Sequence, residues 1–242
     1  MPSSPSPSRE TPSQNAPRRF ARLLLPLALI LFATSCDGFF VSNSTLVSLT
    51  VSPNAVLLKS GATPADTATL TPSGSTAGNG PATDFSSATW SSSNDAIVTA
   101  ATGGVITAAA SGTPNTPVTV TAKQDGVTSN SCNVVLYTGT EPTTLSITTQ
   151  SGAINFAAGS SFQAYVTGSF SGDTTLSGTG ALNPYVSWST SDSTVATVSS
   201  SGVVTVLSSS QFTITATANF GTAATNSTVS VTSQEFNTAS QF

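Results

Sequence analysis

A block of sequence built around a single tryptophan occurs twice in this chain. Residues 90–107 read WSSSNDAIVTAATGGVIT and residues 188–205 read WSTSDSTVATVSSSGVVT, so each matched position lies 98 residues further along. Upstream of the two blocks, Gly61 aligns with Gly159 at the same offset. Landmarks at one constant offset indicate a single module of about 95 residues that is present in two copies.

Both copies consist of short runs rich in Val, Ile and Thr, separated by Gly, Pro, Asn and Ser. Such runs predict β-strands, and their close spacing leaves no room for crossover helices. The first strand aligns Leu49 with Ile147, and the second is expected over AVLL from Ala55 and AINFAA from Ala153. A strand-rich unit of this length with one tryptophan is typical of an Ig-like sandwich. We therefore predict an all-β chain of two tandem antiparallel Ig-like β-sandwiches after a signal peptide.

The N-terminal region has the order of a bacterial export signal. A Pro- and Ser-rich stretch precedes Arg18, Arg19 and Arg22, and the apolar run LLLPLALILFA follows. A membrane-spanning helix needs about 20 apolar residues, so this shorter run suits a signal-peptide core instead. Paired arginines also occur in twin-arginine signals, but the rest of that motif is missing. The general secretory route is therefore favoured.

At the end of the apolar run come Ala33, Thr34, Ser35 and Cys36, which resemble the lipobox of bacterial lipoproteins. In that motif small residues precede a cysteine that is lipidated and becomes the mature N-terminus. The usual leucine three residues before the cysteine is an alanine here. An ordinary cysteine beside a conventional cleavage site is the alternative. The resemblance implies a membrane anchor of several acyl chains on Cys36, and a location in the bacterial cell envelope, on its periplasmic face or at the cell surface.

These observations divide the chain into segments, which are expected as follows. Residues 1–35 are a lipoprotein signal peptide with a disordered front end over 1–17, 36–45 a lipidated tether, 46–137 Ig-like domain 1, 138–143 a linker, 144–233 Ig-like domain 2 and 234–242 a disordered tail. The linker contains Pro142, which resists helix formation and limits the hinge.

The charge of the chain argues against nucleic acid as a partner. Cleavage before Cys36 leaves Lys59 and Lys123 as the only basic residues against nine acidic ones. A protein that binds nucleic acid neutralises phosphates with a basic patch, and this sequence has none. We expect a monomer that binds no nucleic acid.

The residues that carry most enzyme chemistry are missing. The chain has no histidine, which excludes Ser-His-Asp and Cys-His catalysis and histidine-ligated zinc. Its acidic residues are scattered, with no repeated pair for glycoside hydrolysis and no EF-hand loop for calcium. We predict no catalytic residue, no metal and no cofactor. Once Cys36 is acylated, Cys132 has no disulfide partner, and we expect a small buried side chain there, with a reactive thiol as the alternative.

Two pairs of polar and aromatic positions recur in the repeated block. Trp90 and Trp188 lie among alternating apolar positions and are predicted to fill the core between two sheets, with a sugar-binding platform as the alternative. Four residues further on, Asn94 and Asp192 are predicted to accept backbone hydrogen bonds in Asx-turns, with metal ligation as the alternative.

The end of the block contains a glycine in each copy. Gly104 and Gly202 are predicted to adopt a positive φ at the hairpin that enters the next strand. Beyond it, the first copy carries four extra residues within a turn-forming segment that includes Gly112–Pro117. We expect a surface loop there, and since it differs between the copies we expect it to contribute to a binding surface.

The second copy, with WSTSDSTVATVSSSGVVT from Trp188 and FTITA from Phe212, resembles the bacterial Ig-like domain of group 2, found in invasin- and intimin-type adhesins. The first copy departs from that pattern, with IVTA from Ile97 where the second has VATV from Val195. The resemblance implies surface display, adhesion or spacing. We therefore expect a non-enzymatic adhesion or spacer protein with a protein or glycan ligand on its loops.

Two alternatives remain at this point. A carbohydrate-binding module would need coplanar exposed aromatic rings, for which the candidates are Phe85, Tyr137, Tyr165, Phe170 and Tyr185. The other alternative is a passive scaffold subunit of an envelope complex, in which the modules bind no ligand of their own.

Overall fold

The computed structural model describes residues 45–78, 80–152, 154–233 and 235–237, and these residues form β-sheets with two short 3-10 helices. The first copy, residues 46–137, is called module 1 below. Its strands are β1 (Leu46–Ser52), β2 (Ala55–Lys59), β3 (Thr67–Thr69), β4 (Thr71–Thr76), β5 (Thr89–Ser92), β6 (Val98–Ala100), β7 (Val105–Ala108), β8 (Val118–Gln124), β9 (Val127–Thr128) and β10 (Cys132–Tyr137). The 3-10 helix Thr102–Gly104 precedes β7.

The second copy, residues 144–233, is called module 2. Its strands are β11 (Leu145–Thr149), β12 (Ser161–Gly168), β13 (Ser187–Thr190), β14 (Ala196–Val198), β15 (Val203–Val206), β16 (Ile214–Asn219) and β17 (Thr228–Thr232). The 3-10 helix Asn183–Tyr185 precedes β13. The predicted all-β class is confirmed, and no predicted strand is replaced by a long helix in the described part of the chain.

Each module is a sandwich of facing β-layers. In module 1 one layer has the order β2–β10–β8–β5, with β9 also on β8, and the other contains β3–β7–β6 and β1–β4. In module 2 the layers are β11–β12–β15–β14 and β13–β16–β17. Pairing between these strands is antiparallel, as predicted, with one exception. β10 runs parallel to β2, with Asn133 opposite Ala55 and Tyr137 opposite Lys59.

The repeat is reproduced in the strands around each tryptophan. β13, β14 and β15 begin and end 98 residues after β5, β6 and β7 respectively. Their side chains alternate in the same way, because β7 and β15 both bury every second residue. The period of two turns one face of each strand toward the core.

The equal spacing upstream of the tryptophans conceals two compensating loops. The backbone N–H of Leu70 donates to Gly104 O at 2.8 Å, and the N–H of Ala164 donates to Gly202 O at 2.9 Å. Leu70 and Ala164 are therefore equivalent, and they are 94 residues apart. The segment from the aligned glycine to this position, Gly61 to Leu70 in module 1, is four residues longer than its counterpart in module 2. The segment from this position to the tryptophan, Ala164 to Trp188 in module 2, is four residues longer than its counterpart in module 1.

The sequence alignment of the first strands is wrong by two residues. Ile147 lies opposite Val166 on β12, and Val51 lies opposite Pro72 on β4. Val166 and Pro72 are 94 residues apart, which is the offset of this strand. Ile147 is therefore the counterpart of Val51 and not of Leu49.

The second strand forms in module 1 but not in module 2. AVLL from Ala55 lies in β2, whereas residues 154–158 contain no strand. Asn155 Oδ1 accepts the backbone N–H of Ala157 at 2.9 Å, and the Ser160 hydroxyl donates to Ala157 O at 2.6 Å. These local side-chain hydrogen bonds take up backbone groups that a β-ladder would need.

The two ends of module 2 are better packed than the sequence suggests. In the predicted linker, Glu141 and Pro142 are buried. In the predicted disordered tail, Phe236 pairs with Phe212 and its ring centroid lies 5.3 Å from that of Phe162. The Phe236 side chain thus packs against the apolar cluster at the end of module 2. Residues 238–242 lie outside the described residues.

Candidate functional site

Both tryptophans of the repeated block are half-buried. Trp90 on β5 packs against the core of module 1. Trp188 on β13 packs against both apolar clusters of module 2, and its indole N–H donates to Asn183 O at 3.0 Å. The rings thus have core contacts on one side and remain partly accessible on the other.

The polar residues after each tryptophan organise turns. Asn94 Oδ1 accepts the N–H of Ala96 at 3.1 Å, and Asp192 Oδ1 accepts the N–H of Thr194 at 2.8 Å. The Thr194 hydroxyl also donates to Asp192 Oδ1, at 2.6 Å. These bonds from Thr194 hold the pKa of Asp192 below its ordinary value. Both side chains cap the loop between a tryptophan strand and the following strand.

The two glycines at the end of the block have φ values of 80° at Gly104 and 82° at Gly202. A side chain at Gly104 would collide with Leu70 O and would lie 2.9 Å from the ring of Trp90. A side chain at Gly202 would lie 2.5 Å from the amide nitrogen of Asn183. Glycine is therefore required at both positions by conformation and by space.

Asn183 is a structural residue that sequence reasoning missed. Its side chain is buried, and Oδ1 accepts the N–H of Val166 at 2.8 Å. Its Nδ2 donates to Ala164 O at 2.7 Å and to Ser201 O at 2.8 Å. Asn183 thus joins β12, the loop before β15 and the tryptophan strand. A lone asparagine before a proline carries no sequence signal for such a role, because its partners are distant in the chain.

Cys132 lies on β10 and is fully buried. Burial raises the pKa of its thiol to about 12, because the thiolate would lose its hydration. A reactive cysteine needs access and a stabilised thiolate. The geometry is that of a small core side chain.

The loop predicted as a binding surface is only partly exposed. Gly112 is buried, and a side chain there would lie 2.6 Å from a methyl carbon of Leu136. The backbone N–H of Asn115 donates to Leu136 O at 2.9 Å. Within Gly112–Pro117 only Thr113 and Pro117 are exposed. The loop is therefore held against the end of β10, and its free surface is small.

The aromatic residues do not form an exposed platform in the part of the chain that the structure describes. Among the five candidates, Tyr137, Phe170 and Tyr185 are buried, whereas Phe85 and Tyr165 are half-buried. No described aromatic side chain is classed as exposed. A glycan site made of several stacked rings therefore finds no support in these residues.

The joint between the modules is an extensive feature that the sequence did not reveal. The outer edge of β2 is covered by module 2, because Leu57 forms a parallel bridge with Phe220. Gly221 N–H donates to Leu57 O at 3.0 Å, and Asn219 Nδ2 donates to Ala55 O at 3.2 Å. The chain of module 2 thereby extends the sheet of module 1 and protects an otherwise open strand edge.

The apolar part of the joint belongs to the core of module 2. Leu57, Val135 and Tyr137 of module 1 are fully buried in the same cluster as Phe170 and Phe220. The ring centroid of Tyr137 lies 5.4 Å from that of Phe170 and 5.8 Å from that of Phe220. Since these side chains bury their surface only while both modules are folded, the two modules share part of one core.

The polar centre of the joint is the buried carboxylate of Asp66. It accepts the N–H of Lys59 at 2.6 Å from its own module. From module 2 it accepts the N–H of Ala223 at 2.7 Å and the hydroxyl of Thr222 at 3.3 Å. Gly221 packs so closely that any side chain there would collide with this carboxylate. Asp66 therefore anchors the loop after β16 to module 1.

Two further carboxylates hold the link between the modules, residues 138–143, to module 2. Glu141 Oε1 accepts the N–H of Thr225 at 2.5 Å, and Asp173 Oδ2 accepts the N–H of Thr138 at 3.1 Å. Burial acts to raise the pKa of Glu141, but backbone hydrogen bonds and the charge of Lys59 outweigh it and leave this pKa below its ordinary value. The link is thus bonded to two loops of module 2.

A groove of about 270 Å³ runs along the joint. Module 1 lines it with Pro53, Val56 and Thr67–Thr69, and module 2 lines it with Asn219–Thr222. Its walls carry amide and hydroxyl groups but no charged side chain. Within the described residues, no group of three or more His, Cys, Asp or Glu side chains could hold a metal ion.

The expected lipidation residue Cys36 and the lipobox residues Ala33, Thr34 and Ser35 lie outside the described residues. Over residues 45–78, 80–152, 154–233 and 235–237, no helix has the length and apolar character needed to span a membrane.

Residues 163–229, which include the Trp188 block, match the family model of the bacterial Ig-like domain (group 2). Module 2 is a bacterial Ig-like domain of group 2. Module 1 has the same strand order around its tryptophan, so the chain contains tandem Ig-like domains, as predicted. Ig-like domains are generally non-enzymatic structural or adhesion modules, and the match indicates a surface or adhesion-type module in a bacterial surface or envelope protein.

Solved structures with similarity to this chain include repeated surface and Ig-like modules. Domains 4–9 of the surface layer protein SbsC are 18% identical, with 79% of this chain and 29% of that chain covered and a TM-score of 0.31. SbsC domains 4 and 5 are 19% identical, with 77% of this chain and 96% of that chain covered and a TM-score of 0.31. The N-terminal Ig1-2 module of the Drosophila receptor protein tyrosine phosphatase DLAR is 12% identical, with 78% of this chain and 96% of that chain covered and a TM-score of 0.23. No curated protein matches the chain.

Proposed function

We propose that this chain is a non-enzymatic, lipid-anchored envelope protein whose two Ig-like modules act as a spacer that carries adhesive loops. The observation that carries the proposal is the order of basic residues, apolar run, small residues and Cys36 directly ahead of the two modules. That order is the one that directs lipidation in bacterial lipoproteins, and acyl chains on Cys36 anchor the protein stably when more than one is attached.

The joint supports the spacer role. A spacer transmits position only if its parts do not swing freely, and three carboxylates tie the link and the loops of the joint together: Asp66, Glu141 and Asp173. The same bonds argue against catalysis by these groups, because each carboxylate already accepts backbone hydrogen bonds and is buried.

Metabolic labelling with radioactive palmitate tests the anchor. We expect label on the wild-type chain and on Cys132→Ala, and none on Cys36→Ser. Globomycin, which blocks the lipoprotein signal peptidase, is expected to cause the precursor to accumulate. Label on Cys36→Ser, or normal processing in the presence of globomycin, would show that Cys36 is an ordinary cysteine beside a conventional cleavage site.

Protease treatment of intact cells then distinguishes the two faces of the envelope. Degradation of the modules in intact cells places them at the cell surface, and protection that is lost on permeabilisation places them on the periplasmic face. Cell fractionation provides the accompanying control. If the modules are recovered in the soluble fraction instead of the membrane fraction, the protein is not anchored.

A screen of glycan arrays and of purified envelope proteins with the whole chain tests the adhesive role. Thr113 and Thr63 are both exposed threonines in loops of module 1, and only Thr113 lies in the loop that differs between the copies. We expect a bound ligand to be weakened by Thr113→Glu and unaffected by Thr63→Glu. Equal binding by both variants would show that the ligand binds outside this loop. If no ligand is found, a passive scaffold subunit is favoured.

A further inference from the structure

The parallel pair β2–β10 has a mechanical consequence that depends on where the chain enters and leaves it. Chain from the N-terminal side enters β2 at Ala55, and the chain leaves β10 at Tyr137 toward the link and module 2. Because the strands are parallel, these two points lie at opposite ends of the pair. Tension along the chain therefore pulls the strands past each other along their axes.

Five residue pairs, from Ala55 opposite Asn133 to Lys59 opposite Tyr137, hold the two strands together. Under an axial pull all five are loaded at the same time. If the load entered at one end of the pair, the same bonds would break one after another. Within the described residues, the ladder partner of β1 is β4, and the Asn130 side chain also bonds the backbone of Val51. Neither contact involves the β2–β10 ladder, so detachment of β1 passes the load to β2 without opening this pair.

Module 2 lacks an equivalent pair in the part of the chain that the structure describes. Its first strand, β11, pairs with β12, and its last strand, β17, pairs with β16. The counterpart of β2 is not a strand over residues 154–158. The first and last strands of module 2 can therefore be detached independently of each other.

We propose that the β2–β10 pair is a shear lock that makes module 1 the mechanically stronger half of the chain, so that tension unfolds module 2 first and module 1 last. The inference extends the proposed spacer function, in which a pull on a distal ligand acts against an N-terminal anchor. The membrane-proximal module would then survive loads that extend the distal one.

Single-molecule force spectroscopy of the whole chain, held by handles at its two ends, tests the order of unfolding. Ten glycines inserted between Asp125 and Gly126, an exposed turn of module 1, lengthen only the step in which module 1 unfolds. Ten glycines between the exposed Ser209 and Ser210 are the matched insertion in module 2. Each insertion adds ~35 Å of contour length. We expect the first insertion to lengthen the last, high-force step and the second to lengthen an earlier, low-force step.

A change in the direction of the pull separates a shear lock from a module that is merely more stable. In a Cys36→Ser chain, one handle is placed on Thr63→Cys and the other stays at the C-terminal end. The pull then acts on β2 at Lys59 and on β10 at Tyr137, which lie opposite each other, so the pair is unzipped from one end. Cys132 is buried and does not compete for the handle. We expect the rupture force of module 1 to fall toward or below that of module 2. The proposal is overturned if the force is independent of pulling direction, if both modules rupture in one step, or if the insertion in module 1 lengthens the first step. None of these results depends on lipidation, so they do not bear on the anchor.

Discussion

Two neighbouring glycines show how one residue position can be constrained by space as well as by conformation. Gly103 and Gly104 both have a φ of 80°, but a side chain at Gly103 would meet no atom, whereas one at Gly104 would meet Leu70 O and the ring of Trp90. The left-handed conformation costs an L-residue about 1–2 kcal/mol, and overpacking adds about 1–3 kcal/mol. We expect Gly103→Ala to lower the free energy of unfolding by ~1 kcal/mol and Gly104→Ala by ~3 kcal/mol in urea denaturation. Equal losses would contradict the contact with Trp90.

The thiol of Cys132 provides a second test of a single position. Since burial raises its pKa to about 12, it should be protonated and inaccessible in the folded protein. In a Cys36→Ser chain at pH 8, we expect Ellman's reagent to detect almost no thiol in buffer and one thiol per chain in denaturant. Rapid reaction of the folded protein would instead support the alternative of a reactive cysteine.

The 3-10 helix that precedes β13 contributes to stability through one side chain. Asn183→Ala would leave the buried N–H of Val166 without its side-chain acceptor, whereas the carbonyl groups of Ala164 and Ser201 would keep a hydrogen bond from Gln163 Nε2. Each buried group left unsatisfied costs about 1–3 kcal/mol. With one buried group left unsatisfied, we expect a loss of ~2 kcal/mol in the free energy of unfolding. Asn155→Ala removes an exposed side chain with one local hydrogen bond and serves as the control, for which we expect less than ~1 kcal/mol.

Elements could be predicted from the sequence where their causes are local. Alternating apolar residues predict the strands, and the turn at Asn94 follows from a side chain that bonds to its own neighbouring backbone. The failed strand after Ala153 has a local cause as well, in Asn155, but its hydrogen bond competes with a ladder that sequence cannot weigh. Asp66 and Phe220 could not be assigned, because their partners lie in the other module.

The two modules together should respond to acid through the joint. The pKa of Glu141 is lowered in the folded state, so its carboxylate stabilises the protein above the ordinary pKa of about 4.5, and this contribution is lost as the pH falls through the folded pKa. Glu141→Gln removes that titration. We expect the variant to be less stable than the wild type at pH 7 and the difference to shrink between pH 5 and pH 3, as measured by denaturation at each pH. A difference independent of pH would show that the charge of Glu141 has no part in holding the joint.

Adjacent residues of β2 serve different modules, which allows the shared core to be tested directly. Val56 and Leu57 are both fully buried, but Val56 packs in the core of module 1 and Leu57 in the cluster of module 2. Truncation of a buried leucine costs about 2–5 kcal/mol. In a Trp90→Phe background, where Trp188 alone reports on unfolding, we expect Leu57→Ala to shift the transition of module 2 by this amount, although the substitution lies in module 1. Val56→Ala should instead destabilise module 1, so that the unfolding transition reported by Trp90 shifts in a Trp188→Phe background. Two modules joined only by a linker would give the opposite result, with both substitutions confined to the Trp90 signal, because neither side chain would then belong to the core of module 2.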